Sequence, residues 1–394
     1  MSGASGTGTD RPGLEWTAEQ EELRGAVRAV LARHPGQAAW APLTAQVGVA
    51  ALAVPEEYGG LGCGASEVGV VMAELGRALS PVPYLGSAVL TVRALLASGD
   101  REACARHLPA LAEGTLVGAL AWAEAGDGAV AGETGDGAET GDGAEAGDGG
   151  ARGRAGSWEA CDLAARAEPD GSGWLLTGAK RYVLTGPDEP ALLLAFARAS
   201  DTGRLGLFEL TAPPAEFTVR STMDRTRPLA ELALDRTPAR LLSPDGAGVL
   251  ARVRDLACTA LAAEQAGAAG RALEATVRYA RDRVQFGRPI GSFQAVKHRL
   301  ADMYTAVETA RSLALAAAAA DAPPRLAAAA KSACSEAYAF VAGEMIQLHG
   351  GIGITWEHEA HEFFKRAHGS AQLFGPPAAH RARLAADLGL SGVC

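Results

Sequence analysis

Two stretches decide the reading of this chain. They are Arg283-Val284-Gln285-Phe286-Gly287-Arg288-Pro289-Ile290 and, about sixty residues later, Gln347-Leu348-His349-Gly350-Gly351-Ile352-Gly353-Ile354. The first follows a long helical pattern and combines an arginine, an amide, an aromatic ring and a Gly-x-Pro turn. The second ends another helical pattern with three glycines in four residues. Glycines let backbone N–H groups come close to a phosphate, and arginine pairs with one bidentately. On these residues alone two readings stand: a cradle for a dinucleotide phosphate, or a pair of helix C-caps beside a surface arginine.

The pattern before Arg283 predicts a helix of about 30 residues from Val249, with Val253, Leu256, Leu261, Leu273 and Val277 turned inward. Further helices are expected at about 293–320, 325–349 and 357–372, with one more near the C terminus. Their alanine-rich interiors allow close approach, which suits a bundle. At the other end, Thr17-Ala18-Glu19-Gln20 is a capping box, and Leu23, Val27, Val30 and Leu31 make one apolar face. Pro35-Gly36 ends that helix, and others are expected at about 67–79 and 87–96. From Val117 the pattern changes to short apolar runs: Leu175-Leu176, Tyr182–Leu184, Leu192–Phe196, Leu205–Leu210 and Leu232–Leu234. Turn signals such as Asp170-Gly171 and Thr185-Gly186-Pro187 separate them. The expected class is α+β: a helical domain over 14–116, a β domain over 117–245 and a helical bundle over 246–390.

The chain has 394 residues, 48% hydrophobic and 21% charged, so there is ample apolar material for a large core. Its 49 glycines have a local source, since residues 126–156 hold 12 of them. That stretch, which repeats Gly-Asp-Gly-Ala, also carries seven acids and two arginines, hence −5 of the formal −10. It reads as a disordered insert, and it lacks the nonapeptide period of a calcium-binding repeat. The remaining body is only mildly acidic, which argues against nucleic acid or an anionic membrane as partner. The longest apolar run, Leu313–Ala320, is far short of the ~20 residues of a membrane span. MSGASGTGTD at the N terminus has neither a basic nor an apolar signal-peptide region. Six cysteines without a C-x-x-C pair fit free thiols, so a cytoplasmic location is expected. No metal site is expected either: His358-Glu359-Ala360-His361 has Glu362 where H-E-x-x-H needs histidine.

Arg283–Ile290, Gln347–Gly353, the loop Pro55-Glu56-Glu57-Tyr58-Gly59-Gly60 and the helix–β–helix order together resemble the acyl-CoA dehydrogenases over residues 15–388. RxQFGxPI followed by QxHGGxG in this order is specific to them. The resemblance implies an N-terminal helical domain, a β-barrel-like middle domain and a C-terminal four-helix bundle. It also implies FAD, and an assembly that is a homodimer, a homotetramer or a heteromer with a related dehydrogenase subunit. Arg283, Gln285 and Phe286 would reach the flavin of a neighbouring subunit, with Arg283 on its pyrophosphate. Gln347, Gly350 and Gly351 would cradle the adenosine diphosphate, and Tyr182 would flank the flavin ring. The implied reaction removes an α-proton and a β-hydride from an acyl thioester, on CoA or on a carrier protein, and passes electrons to an acceptor flavoprotein. A carboxylate takes the proton; the protein orients the substrate and holds its thioester oxygen.

The departures from the family pattern fall at the chemistry. Phe374 stands where the usual catalytic glutamate is expected, and Ala257 stands at the alternative base position on the long helix. Asp255 is two residues away, about 200° round the helix. Cys258 replaces an arginine common in the family, with a buried thiol as its plain reading. The flavin-contacting T-E-P segment reads Ala123-Glu124-Ala125, and its partner threonine falls at Leu184, one before Thr185. The leading expectation is an acyl-thioester dehydrogenase introducing a C=C bond with a non-standard or missing base. The alternatives are a base-lacking subunit of a heteromeric dehydrogenase, a flavin monooxygenase on the same fold, and a non-catalytic relative. The Ile352–His358 run resembles heteromeric members from actinobacteria.

Overall fold

The computed structural model describes residues 16–124, 158–186 and 189–390. The expected insert at 126–156 lies outside the described residues. The capping box forms as the sequence predicts: Thr17 Oγ1 accepts from Gln20 N, and the Gln20 side chain accepts from Thr17 N. It starts α1 (Ala18–Arg33), which is followed by a short turn, α2 (Trp40–Pro42), and by α3 (Ala65–Arg77). The helix expected at 87–96 begins instead at Leu85 as wider π-type turns and tightens into α4 (Val92–Ser98). One helix was not anticipated, α5 (Arg101–Glu113); its markers are Asp100, which caps Ala103 N at 2.9 Å, and Gly114 at φ 73°.

The strands are β1 (Gly118–Ala121), β2 (Arg166–Asp170), β3 (Gly173–Leu184), β4 (Leu192–Ala199), β5 (Leu205–Leu210), β6 (Glu216–Arg220) and β7 (Leu229–Ser243). Pairing runs β4–β2–β3–β7–β5 and back to β4, so five strands close a ring, with β1 on β4 and β6 on β7 outside it. The closed interior is filled by small residues such as Ala165, Ala167, Ala195 and Ala197 around Leu176 and Phe208. Leu175-Leu176 and Tyr182–Leu184, separate runs in the sequence, belong to one strand.

The rest is helical: α6 (Gly246–Asp282), the hairpin β8 (Val284–Gln285) and β9 (Arg288–Pro289), α7 (Gln294–Ala319), α8 (Pro324–His349), α9 (Ala360–Gln372) and α10 (Pro377–Asp387). At ~1.5 Å per residue, the 37 residues of α6 extend about 55 Å and form the spine of the molecule. It packs on α3, α7 and α8. The α3 crossing needs glycine, because a Cβ on Gly76 or Gly267 would lie 2.1 Å from a carbonyl oxygen of the facing helix.

One buried ion cluster joins the three parts. Arg366 on α9, 2% exposed, donates to Glu264 on α6 at 2.9 Å and lies 2.9 Å from Asp224 Oδ2 in the segment after β6. It also donates to the Thr226 carbonyl at 2.7 Å and to that of Ser80, before α4, at 3.3 Å. Arg227 pairs with the same Glu264. Removing one partner from such a cluster leaves buried charge uncompensated.

Two predictions follow from these ion pairs. Glu264→Gln leaves Arg227 and Arg366 without their shared carboxylate and is expected to cost about 3–5 kcal/mol in urea unfolding. A change within error would show that the cluster does not tie the parts together. The second concerns pH. Burial alone would raise the Glu209 pKa, but hydrogen bonds from His107 and Arg240 outweigh it and hold the carboxyl at about 2. The folded value lies below the unfolded one, so this stability is present above about pH 4.5 and is lost as pH falls toward 2. Glu209→Gln should flatten the acid limb of a melting-temperature profile in that window.

Candidate active site

The ring side of the site is built where β1 and β3 end. Glu124, just after β1, is buried, forms an ion pair with Lys180 and accepts the Ala164 and Ala165 amides at 2.6 and 3.1 Å. It is therefore fully engaged in holding the barrel wall. Burial pulls the Lys180 pKa down, and Glu124 opposes that. The register of β3 on β7 shifts between Lys180 and Val183, and the bulge leaves Tyr182 at φ 56° with its ring 38% exposed. Leu184 is buried, and Thr185 donates to Gly186 O at 2.6 Å. Ala123 and Leu184 bring no hydroxyl to this wall, and the Thr185 hydroxyl is turned onto the Gly186 carbonyl.

Both base positions are apolar and closed. Ala257 is buried in α6. Phe374, 1% exposed at φ 64°, packs against Trp158 and Trp122 with ring centroids 5.1 and 5.6 Å away. The two indoles stack on each other at 4.0 Å and 17°. Sequence reasoning missed this trio, since no local signal links Trp122, Trp158 and Phe374. Asp255, the nearest carboxylate in sequence to Ala257, is buried and accepts from Arg383 at 2.6 Å and Arg254 at 3.5 Å. Asp255 is thus committed to structural ion pairs with two guanidiniums. Cys258 is buried, and burial pushes its thiol up to about 11, so it is not a nucleophile at neutral pH.

The phosphate-type motifs meet at the far end of α6. Arg283 caps the helix through its N–H to Tyr279 O at 2.8 Å. Val284 pairs with Pro289 and Gln285 with Arg288, so Phe286 and Gly287 form a two-residue turn with φ 53° and 75°. Phe286 is 92% exposed at the tip, and Arg283, Gln285 and Gln347 are exposed too. Tyr279 stacks on His349 at 4.3 Å and donates to its carbonyl, which brings the hairpin beside the glycine motif. Burial pushes the His349 pKa down; its Nδ1 lies 2.7 Å from Met345 O, and its buried Nε2 has no protein partner. Gly350 takes φ 62° and ψ −144°, and a Cβ at Gly350 or Gly351 would meet only open space. The Gly350 amide itself caps α8 by donating to Gln347 O and Ile346 O, so what the glycines offer is close backbone approach beside an arginine with no ion pair among the described residues, which fits a diphosphate.

These two ends are separate. Ala257 lies 26 residues before Arg283, which is about 39 Å along the helix axis. No cluster of three metal-ligating side chains occurs among the described residues, and His361 sits edge-on to Trp356 at 4.6 Å. No helix of the described residues is long and apolar enough to cross a membrane.

Comparison with known proteins matches residues 17–115 to the acyl-CoA dehydrogenase N-terminal domain and 245–389 to the acyl-CoA dehydrogenase C-terminal domain. The acyl-CoA dehydrogenase IpdE2 of Mycobacterium tuberculosis is 39% identical over 375 residues, 91% of this chain and 94% of that protein. The chain belongs to the acyl-CoA dehydrogenase family. Its members are flavoprotein oxidoreductases acting on CH–CH bonds. Among solved structures, a variant of the Tcur3481–Tcur3483 steroid ACAD is 30% identical with a TM-score of 0.77, covering 95% of this chain and 99% of that one. The ChsE4–ChsE5 complex from Mycobacterium tuberculosis is 26% identical with a TM-score of 0.79, covering 96% and 99%.

In this acyl-CoA dehydrogenase fold the aromatic trio is expected to carry a measurable signature. Stacked indoles couple excitonically through their strong far-ultraviolet transition, so Trp158→Ala should abolish a far-ultraviolet circular dichroism couplet and cost about 3–5 kcal/mol through the cavity left. A variant with unchanged stability and spectrum would show that Trp158 does not fill the site.

Proposed function

We propose that this chain is the base-lacking subunit of a heteromeric, FAD-dependent acyl-CoA dehydrogenase. The observation that carries the reading is Phe374, buried between Trp122 and Trp158 at the position where the family keeps its catalytic carboxylate. A related chain would supply the base and the acyl-thioester pocket. Two structural neighbours, the Tcur3481–Tcur3483 steroid ACAD and the ChsE4–ChsE5 complex, are named as pairs of chains, which supports an assembly of unlike subunits here. The first is a steroid enzyme, so a steroid-derived acyl-CoA is the substrate class to try first.

FAD, when bound, takes the β-hydrogen of the thioester as hydride. This chain's part is at the other end of the cofactor. The Arg283 guanidinium would pair with pyrophosphate oxygens, and Gly350 and Gly351, bare of side chains, would let the adenosine diphosphate lie close against the backbone. Gln347 and Gln285 would bind the adenosine side, and Phe286 would lie against the flavin. The distance of about 39 Å from Ala257 to Arg283 along α6 supports a cofactor whose reactive ring sits in another subunit. The electron acceptor of the assembly would be a separate flavoprotein.

The test is to purify the chain alone and co-expressed with a related dehydrogenase chain, then add acyl-CoA without oxygen. Flavin bleaching is expected only in the co-purified assembly, and Arg283→Ala in this chain should lower its FAD retention. Bleaching by this chain alone would contradict the proposal and point to a working enzyme with an unrecognised base. FAD retained equally by Arg283→Ala would remove the pyrophosphate contact.

A further inference from the structure

Beneath the Phe374 segment lies a lysine that the cofactor and base readings leave unused. Lys331, in the N-terminal third of α8, is wholly buried, yet no carboxylate among the described residues contacts it. Its Nζ donates to three oxygens: the Ser335 hydroxyl at 2.9 Å, the Ala371 carbonyl at 3.0 Å and the Gly375 carbonyl at 3.2 Å. Those carbonyls bracket Phe374, whose φ of 64° is unfavourable for an aromatic residue. The carbonyl between them, that of Phe374 itself, lies 3.0 Å from His380 Nε2 on α10. Three carbonyls within five residues are thus held by two basic side chains.

We propose that Lys331 is a positioning residue that locks the 371–375 segment in its strained conformation and so keeps Phe374 seated between the two tryptophans. A buried ammonium is costly without a counter-charge, so it persists where it satisfies acceptors that would otherwise be orphaned. Hydrogen bonds from a charged donor are the stronger kind, and two of them span the strained residue. A polar chain backs the lysine: Ser335 donates to Gln265 on α6, and Gln265 donates to Ser370 on α9, so α6, α8 and α9 are all registered on it. The other titratable groups near this pocket are Cys258 and Arg254 from α6, Cys334 from α8, and His380 and Arg383 from α10. Burial pushes the ammonium down to about 8, which leaves it mostly protonated at neutral pH. Burial and the neighbouring Lys331 push His380 down to about 4, so it faces Phe374 as a neutral N–H donor. The lock is a property of this chain alone and stands whether or not a second chain brings the base.

Cys258 reports on the lock. Its sulfur is buried 3.9 Å from the same His380 nitrogen that holds Phe374, so it lies behind the segment. Cys104 on α5 is also buried and lies outside that pocket, which makes it an internal reference. The experiment is alkylation of the native full-length protein with N-ethylmaleimide, followed by peptide mass spectrometry. In Lys331→Met, which keeps the volume and removes the donor, Cys258 labelling should accelerate about tenfold or more while Cys104 keeps its rate. The Trp122–Trp158 dichroism couplet should fall in parallel. Lys331→Gln, which retains a shorter N–H donor, should fall between the two. Unchanged Cys258 labelling in Lys331→Met would overturn the proposal. A rise in which Cys104 keeps pace would overturn it too, because Lys331 would then be acting on the whole fold.

Discussion

The arrangement depends on one buried ion cluster, Arg366 with Glu264, Asp224 and Arg227. Burial opposes charge on Arg366, but Glu264 and Asp224 outweigh it and hold the guanidinium cationic. Its donors reach the Thr226 and Ser80 carbonyls as well, so one side chain from α9 touches the β domain, the N-terminal helices and α6. A planar fork with fixed directions is suited to such a junction, because satisfying all its donors admits a single docking geometry. That geometry brings Trp122, at the edge of the barrel, against Phe374, at the edge of the bundle.

The second constraint is length. A straight helix of about 55 Å cannot bring its two ends to one small site. Cys258, Asp255 and Ala257 stand near one end of α6, and Tyr279 and Arg283 at the other. In the assembly proposed above, the exposed motif at the end of such a spine, without ion pairs among the described residues, would contribute to a site completed by another chain. Among the described residues seven non-glycine positions have positive φ, and Tyr182, Phe286 and Phe374 are three of them. Backbone strain gathers where surrounding structure fixes a side chain for a purpose. Here it marks the bulge of β3, the tip of the β8–β9 hairpin and the aromatic ring seated between Trp122 and Trp158.

Much of this was legible in the sequence because it is local. The Thr17–Gln20 capping box, the apolar spacing along α6 and the Pro and Gly turns of the barrel each follow from neighbours in the chain. Arg283–Ile290 and Gln347–Gly353 could be paired because their spacing is specific, and the tyrosine–histidine stack that joins them ends both helices. What stayed hidden is non-local. Lys331 looks like an ordinary cation in an alanine-rich helix, and only the carbonyls of Ala371 and Gly375 explain its burial. Glu264 and Arg366 look like solvated helix charges until they meet. The substitution of Phe374 for a carboxylate was visible, but not its seat against Trp158, which the chain reaches only after the 126–156 stretch.

The central claim is that this chain gives one end of a flavin site and no reactive centre of its own. It is tested most directly by counting reactive flavins in the purified assembly of unlike chains. An anaerobic titration with acyl-CoA substrate should bleach one flavin for each pair of chains. Two flavins bleached per pair would mean that this chain carries a working site, and would contradict the account.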